Sequence, residues 1–224
     1  MGIILNIDTA SENAHVSLAK DGQILYVRSS ELQKEHASFL QAAIRQLTKT
    51  AGITLKEIDA VAVTAGPGSY TGLRVGMASA KGLCYALKKP LITIGTLKVL
   101  TVSALDVWKD NNSNILFCPM MDARRMEVFT AIYRQDLNPF LQPCALILDE
   151  LSFKKELQNH KILFFGNGSA KWKQICTHPN AIFTAVSLLP ESMSKSSESL
   201  LREKNFTDLA YSEPLYLKEF QIVT

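Results

Sequence analysis

Residues 60–87 read AVAVTAGPGSYTGLRVGMASAKGLCYAL, and the run divides into a buried strand, a glycine-rich turn and a helix. Ala60, Val61, Ala62, Val63 and Thr64 are small or β-branched with no alternation, as in a strand covered on both faces. Gly66-Pro67-Gly68-Ser69 ends the strand, because proline fixes one φ and glycine takes conformations that other residues avoid. Thr71 is placed to cap the helix that follows. Leu73, Met77, Ala80, Cys84 and Leu87 then recur at helical spacing and give it an apolar face. A loop entering a helix N-terminus presents unpaired backbone N–H groups that suit phosphate or carboxylate. The spacing fits neither GxxxxGK[ST] nor GxGxxG. Thr71 stands where the third glycine of the dinucleotide fingerprint belongs, and Gly72 comes one place late. Two readings of Gly66, Gly68, Ser69, Thr71 and Gly72 are open: an anion site, or a tight turn with no ligand.

The helix itself is rich in small residues. Gly76 and Gly82 each cost about 1 kcal/mol against alanine inside a helix. With Gly72, Ala78, Ser79 and Ala80 they let a neighbour approach closely. That neighbour is either the chain's own sheet or a helix of another chain.

Upstream, Ile3–Ile7 reads as a strand followed by Asp8-Thr9-Ala10-Ser11. His15–Lys20 and Gln23–Arg28 read as two more strands, joined by the hairpin signal Asp21-Gly22. A helix is expected from about Glu35 to Ala51, on the stripe Phe39, Leu40, Ala43, Ile44 and Leu47, with Gly52 as its stop. Downstream, Pro90–Ile94 reads as a strand and Leu97–Leu105 as a helix. The polar run Trp108–Asn114 is the best boundary, which divides the chain into domains 1–108 and 109–224. The pattern then starts again. Strands are expected at Ile115–Pro119, Glu127–Tyr133, Ala145–Leu148 and Ile162–Phe165. A helix falls at Glu150–Gln158, and Gly166-Asn167-Gly168-Ser169 precedes another. Glu198–Lys204 reads as helical and Leu215–Leu217 as a terminal strand or extended segment. Both halves therefore follow one order of elements without similar sequences.

With 224 residues, 47% hydrophobic and 20% charged, the composition is that of a globular chain with a sizeable core. A net charge of +3 with scattered lysines does not indicate a nucleic-acid binder on its own. Cys84, Cys118, Cys144 and Cys176 form no CxxC pair, which fits free thiols in a reducing compartment. No leader and no apolar run of 18 residues is seen, so a cytoplasmic location without membrane contact is expected.

A duplicated βββαβαβ unit with an acidic first turn resembles the α/β superfold of actin, heat-shock chaperone ATPases and sugar kinases (ASKHA, RNase H-like), in two lobes. Several stretches are similar to the TsaB (YeaZ) family: Leu5-Asn6-Ile7-Asp8-Thr9-Ala10, VAVTAGPGSYTGLRVGMASAKGL, PLITIGTL, Met121-Asp122-Ala123-Arg124-Arg125-Met126-Glu127-Val128 and Glu213–Lys218. The resemblance spans nearly the whole chain and is densest over residues 3–97. It implies a part in making N6-threonylcarbamoyladenosine beside the tRNA anticodon. The implied role is a non-catalytic subunit that pairs with the transferase TsaD, is joined by the ATPase TsaE, forms a homodimer when alone and meets tRNA only through the complex.

The residues bear on that expectation. TsaD-like enzymes carry a His-x-x-x-His metal pair where this chain has Thr96-Leu97-Lys98-Val99-Leu100, and none of its four histidines forms such a pair, so no metal site and no peptidase or transferase activity is expected. In the superfold a glycine follows the first Asp, but here Thr9, Ala10 and Ser11 follow Asp8. That makes a nucleotide site at Asp8, Thr9 and the glycine loop degenerate, and Asp8 is equally a residue that holds the turn. No cofactor of its own is expected, with ATP, ADP or threonylcarbamoyl-AMP considered only at the interface of the complex. The expected partner surface draws on Phe39, Ala43 and Leu47 of the first helix and on Leu73, Val75, Gly76, Met77, Ser79, Ala80 and Leu83 of the second. Arg124 and Arg125 fall in a turn, as solvated side chains or as contacts to tRNA phosphate or a partner carboxylate. The competing enzyme reading is an independent ATPase or small-molecule kinase of the same superfold.

Overall fold

The computed structural model describes residues 2–31, 36–109 and 114–218. The chain divides into two units. The first comprises the residues up to Thr96 together with Leu189–Leu215, and the second comprises Leu97–Leu188 and the residues from Tyr216 onward.

In the first unit, β1 (Ile3–Asp8), β2 (Ala14–Lys20) and β3 (Gln23–Ser30) form an antiparallel meander. The β2–β3 turn has both Asp21 and Gly22 at positive φ, as the Asp-Gly signal requires. Next come α1 (His36–Ala51), a 3₁₀ turn at Leu55–Glu57, β4 (Ala60–Gly66), α2 (Tyr70–Leu87) and β5 (Leu91–Gly95). Strands β4 and β5 run parallel to β1, and the sheet order is β3-β2-β1-β4-β5. Alternation sends Leu5, Ile7, Val16, Leu18, Val61 and Val63 to the face covered by α1 and α2, where they form one core.

The second unit repeats the plan. It contains most of α3 (Thr96–Val107), then β6 (Ile115–Asp122), β7 (Glu127–Tyr133), β8 (Pro139–Ile147), α4 (Lys154–Asn159), β9 (Lys161–Phe165), α5 (Ser169–Ile175) and β10 (Ala181–Phe183). Its sheet order, β10-β9-β6-β7-β8, is that of the first unit with each strand replaced by its counterpart. The duplicated α/β actin-like fold read from the sequence is therefore present.

Some elements differ from expectation. Strand β8 starts six residues before Ala145. Pro139 and Pro143 obscured its alternation, and an edge strand tolerates both because its outer N–H groups need no partner. Helix α4 begins four residues after Glu150, because Asp149 Oδ1 accepts from Leu151 N (3.0 Å) and Ser152 Oγ (3.0 Å) and holds a turn there. The last helix, α6 (Pro190–Arg202), is longer and earlier than Glu198–Lys204. Its buried residues are Ser192, Met193, Ser194, Ser197 and Glu198, so it has no apolar stripe to announce it. It packs across β1, β2, β3 and β5 of the first sheet. The chain also divides elsewhere than at residue 108. Leu97, Leu100 and Ala104 of α3 bury with Phe117, Leu163 and Phe165 of the second unit, while α6 returns to the first. Of the expected boundary run, residues 110–113 lie outside the described residues, as does Glu35 at the expected start of the first helix.

Candidate functional site: the glycine turn and the outer helix face

The end of β1 and the turn between β4 and α2 meet in the first unit. Asp8 is buried, and its Oδ1 accepts from Thr64 Oγ1 at 2.8 Å and from Ala10 N at 3.1 Å. Thr9 Oγ1 donates to Gly72 O at 2.7 Å, and Ser69 N donates to Ala10 O at 2.7 Å. These bonds clamp the β1–β2 turn against the first turn of α2. Glycine is demanded by this closeness. A Cβ at Gly68 would lie 2.3 Å from Ala10 O, and one at Gly76 would lie 2.4 Å from Thr9 Oγ1.

The helix cap is Ser69, not Thr71. Ser69 Oγ accepts from Gly72 N at 3.3 Å and its carbonyl accepts from Leu73 N at 2.8 Å, while Thr71 is exposed within the helix. The turn thus satisfies several of its own donors. Gly66, at φ +107°, is overlain by the C-terminal segment, where Leu215 N donates to Ala65 O at 2.6 Å. A Cβ at Gly66 would lie 2.7 Å from Leu215 O. No strand forms at Leu215–Leu217; the segment has no regular structure and bends at Leu217. Asp8, Thr9, Gly66, Gly68, Ser69 and Gly72 are therefore brought together, and Thr71 points elsewhere.

The expected partner surface needs correction. Ala43, Leu47, Leu73, Gly76, Met77 and Ala80 are buried within the first unit, so they cannot face another chain. Helical phase explains this: α1 and α2 are amphipathic, and these residues share the stripe turned to their own sheet. Phe39, Val75, Ser79 and Leu83 are half-buried at the edge of that stripe. Thr71, Arg74, Ala78, Gly82, Tyr85 and Ala86 complete the outer face of α2. A Cβ at Gly82 would meet nothing within 4 Å among the described residues. Helices α1 and α2 are joined by Gln41 Nε2 donating to Ser79 Oγ at 3.2 Å. Arg74 stacks over the Tyr70 ring, 4.0 Å from its centre.

Arg124 and Arg125 occupy the β6–β7 turn of the second unit at φ +72° and +46°, both exposed. Arg124 N donates to Asp122 Oδ1 at 2.6 Å, and the same carboxylate pairs with Lys171 Nζ at 2.9 Å.

Sequence reading missed Thr64 as the partner of Asp8. It also missed Lys81, whose Nζ donates to Ala210 O (3.1 Å) and Ser212 O (3.0 Å). Neither had a local signal, because both contacts join distant parts of the chain. Tyr85 was readable, since helical phase alone turns it away from Cys84 and Ala80.

The family model described as TsaD: tRNA N6-adenosine threonylcarbamoyltransferase matches residues 27–214. The tRNA threonylcarbamoyladenosine biosynthesis protein TsaB of Escherichia coli (strain K12) is 28% identical over 222 residues, covering 96% of this chain and 94% of that protein. The solved structure of YeaZ from Pseudomonas aeruginosa aligns with a TM-score of 0.74 at 25% identity, over 97% of this chain and 100% of that one. The inorganic polyphosphate/ATP-glucomannokinase from Arthrobacter sp. strain KM shares the fold alone, with a TM-score of 0.50 at 12% identity over 90% of this chain and 100% of that one. The chain belongs to the family described as TsaD: tRNA N6-adenosine threonylcarbamoyltransferase, and over nearly its whole length it is similar to TsaB and YeaZ.

Proposed function

We propose that this chain serves tRNA N6-threonylcarbamoyladenosine biosynthesis as a non-catalytic subunit. It pairs with the transferase subunit TsaD through the outer side of α1 and α2, and the small ATPase TsaE joins the pair. Alone, it forms a homodimer through the same surface. It meets tRNA only within the complex, holds no cofactor of its own, and works in the cytoplasm. Any nucleotide or threonylcarbamoyl-AMP of the complex sits where the subunits meet.

The observation that carries this reading is the outer side of α2. Val75, Ser79, Gly82, Leu83 and Ala86 are small or apolar and at least partly exposed, so a partner helix can come close without burying a charge. A four-helix seam of this kind buries roughly 1,600 Å² in total. The glycine turn supports the non-catalytic part. Its residues bond to one another and to the β1–β2 turn, and Asp8 accepts from Thr64.

Val75→Glu places a charge in the seam, at a half-buried residue on the rim of the first core. Co-expressed with the transferase subunit of the same genome, the variant should elute alone on size exclusion, and threonylcarbamoyl transfer to tRNA should fall to the level seen without this chain. Circular dichroism should show that the variant stays folded at the assay temperature, with a melt lowered only modestly. A complex that persists with this variant overturns the seam.

A further inference from the structure

The strap that follows α6 lies against α2 in the first unit. Thr207 N donates to Leu91 O at 2.8 Å, and Thr93 N donates to Thr207 Oγ1 at 3.2 Å, so the strap starts along the outer edge of β5. It then passes Lys81. The ammonium of Lys81 donates to the carbonyls of Ala210 and Ser212, the two residues that bracket Tyr211. Asp208 Oδ1 accepts from Ala210 N at 2.8 Å and from Tyr211 N at 3.0 Å, and Ser212 N donates to Asp208 O at 3.1 Å. The backbone of Tyr211 is therefore held on both sides, yet its side chain is 86% exposed. One helical turn beyond Lys81, Tyr85 is 80% exposed.

Holding a lysine and a stretch of chain in place costs conformational entropy. Here the ordered chain displays an aromatic ring to solvent. A rigid backbone presenting a large, stiff, amphipathic side chain is how interface anchors are built, since little freedom remains to be lost on binding. Tyr85 belongs to the outer face of α2 with the exposed Ala78, Gly82 and Ala86, and the segment that carries Tyr211 is tied to the same helix through Lys81, one turn from Tyr85.

We infer that Tyr85 and the clamped Tyr211 extend the α1–α2 docking surface, and that the chain seated on that surface also closes over both rings. This rests on the seam reading above. The occupant is the partner protein that takes the helix face. It must offer an apolar hollow for each ring and a hydrogen-bond acceptor for each phenol, as buried tyrosines require. Lys81 is a positioning residue: it acts only by holding Tyr211.

The test measures the affinity of the purified full-length chain for the purified transferase subunit by titration calorimetry. Tyr85→Ser/Tyr211→Ser should weaken binding by about tenfold or more with an unchanged melting temperature, since both rings are on the surface. Lys81→Met should weaken binding in the same direction. It should also raise hydrogen exchange at the amides of residues 208–212, a readout that loss of charge alone would not move. Binding by the double tyrosine variant within about twofold of wild type, while Val75→Glu abolishes it, overturns this inference and leaves the seam standing. Unchanged protein pairing with weakened tRNA binding to the assembled complex also overturns it, and assigns the tyrosines to stacking on RNA. If Val75→Glu does not disturb pairing, the seam itself fails.

Discussion

His15, half-buried, and Cys84, buried, are two single groups that bear on the pH range of the fold. His15 lies at the start of β2 with Nδ1 2.8 Å from Ser29 Oγ. Burial pushes its pKa below the usual 6.5, against the opposing pull of Asp8 and Glu191. The unfolded chain therefore takes up this proton more readily, and stability declines as the pH falls below 6.5. Burial pushes the Cys84 thiol the other way, from 9.0 up to about 11, and Cys144 shifts in the same direction. Above pH 9.0 the unfolded thiols ionise first, so stability declines as the pH rises toward 11. A melting profile should be level between these limits and fall on both sides. His15→Gln should flatten the acid side, and an acid limb unchanged by that substitution would show that another group causes it.

Helix α2 joins two surfaces with opposite demands, and its glycines report them. At Gly76 an added methyl would meet Thr9 Oγ1 at 2.4 Å, so Gly76→Ala must break the bond from Thr9 to Gly72 or displace the helix. Overpacking of this kind costs about 1–3 kcal/mol. At Gly82 the added methyl meets nothing within 4 Å among the described residues, so Gly82→Ala should gain about 1 kcal/mol from helix propensity. Denaturant titration of the two variants should move the midpoint in opposite directions. Movement in the same direction would mean that one of the two surroundings is misassigned. The sequence showed both glycines but could not separate them by role, because the contact at Gly76 comes from the far end of β1. α2 itself was legible from its period and the stop before it. α6 was not, because serines fill the buried positions where apolar residues would have given a period. The outer side of the two helices was half legible. Helical phase put Ala43 and Leu47 on the apolar stripe of α1 and Leu73, Met77 and Ala80 on that of α2, and packing showed that both stripes, with Gly76, close on the chain's own sheet.

The duplication was readable at the scale of the whole molecule, because the order of elements repeats even though the residues do not. The return of the chain to its first unit was not readable, since the contacts that make it, such as Thr207 on Leu91 and Leu215 on Ala65, are side-by-side backbone bonds that leave no mark on composition. The strap and α6 complete the first unit, so residues 1–96 alone lack the cover for one face of their sheet and the mate for the edge of β5. A fragment of residues 1–96 should give a collapsed amide spectrum by NMR and bind a hydrophobic dye. Joining it through a flexible linker to residues 189–215 should restore dispersed signals. A well-dispersed spectrum from the short fragment would refute the dependence. The same arrangement orders events on the ribosome. All of residues 97–188 must be translated before α6 emerges, a wait on the order of 5–20 s at ordinary elongation rates. During that interval the nascent first sheet stands with one face bare, so the part of the protein that is made first still waits for its cover after every strand of the second sheet has been made.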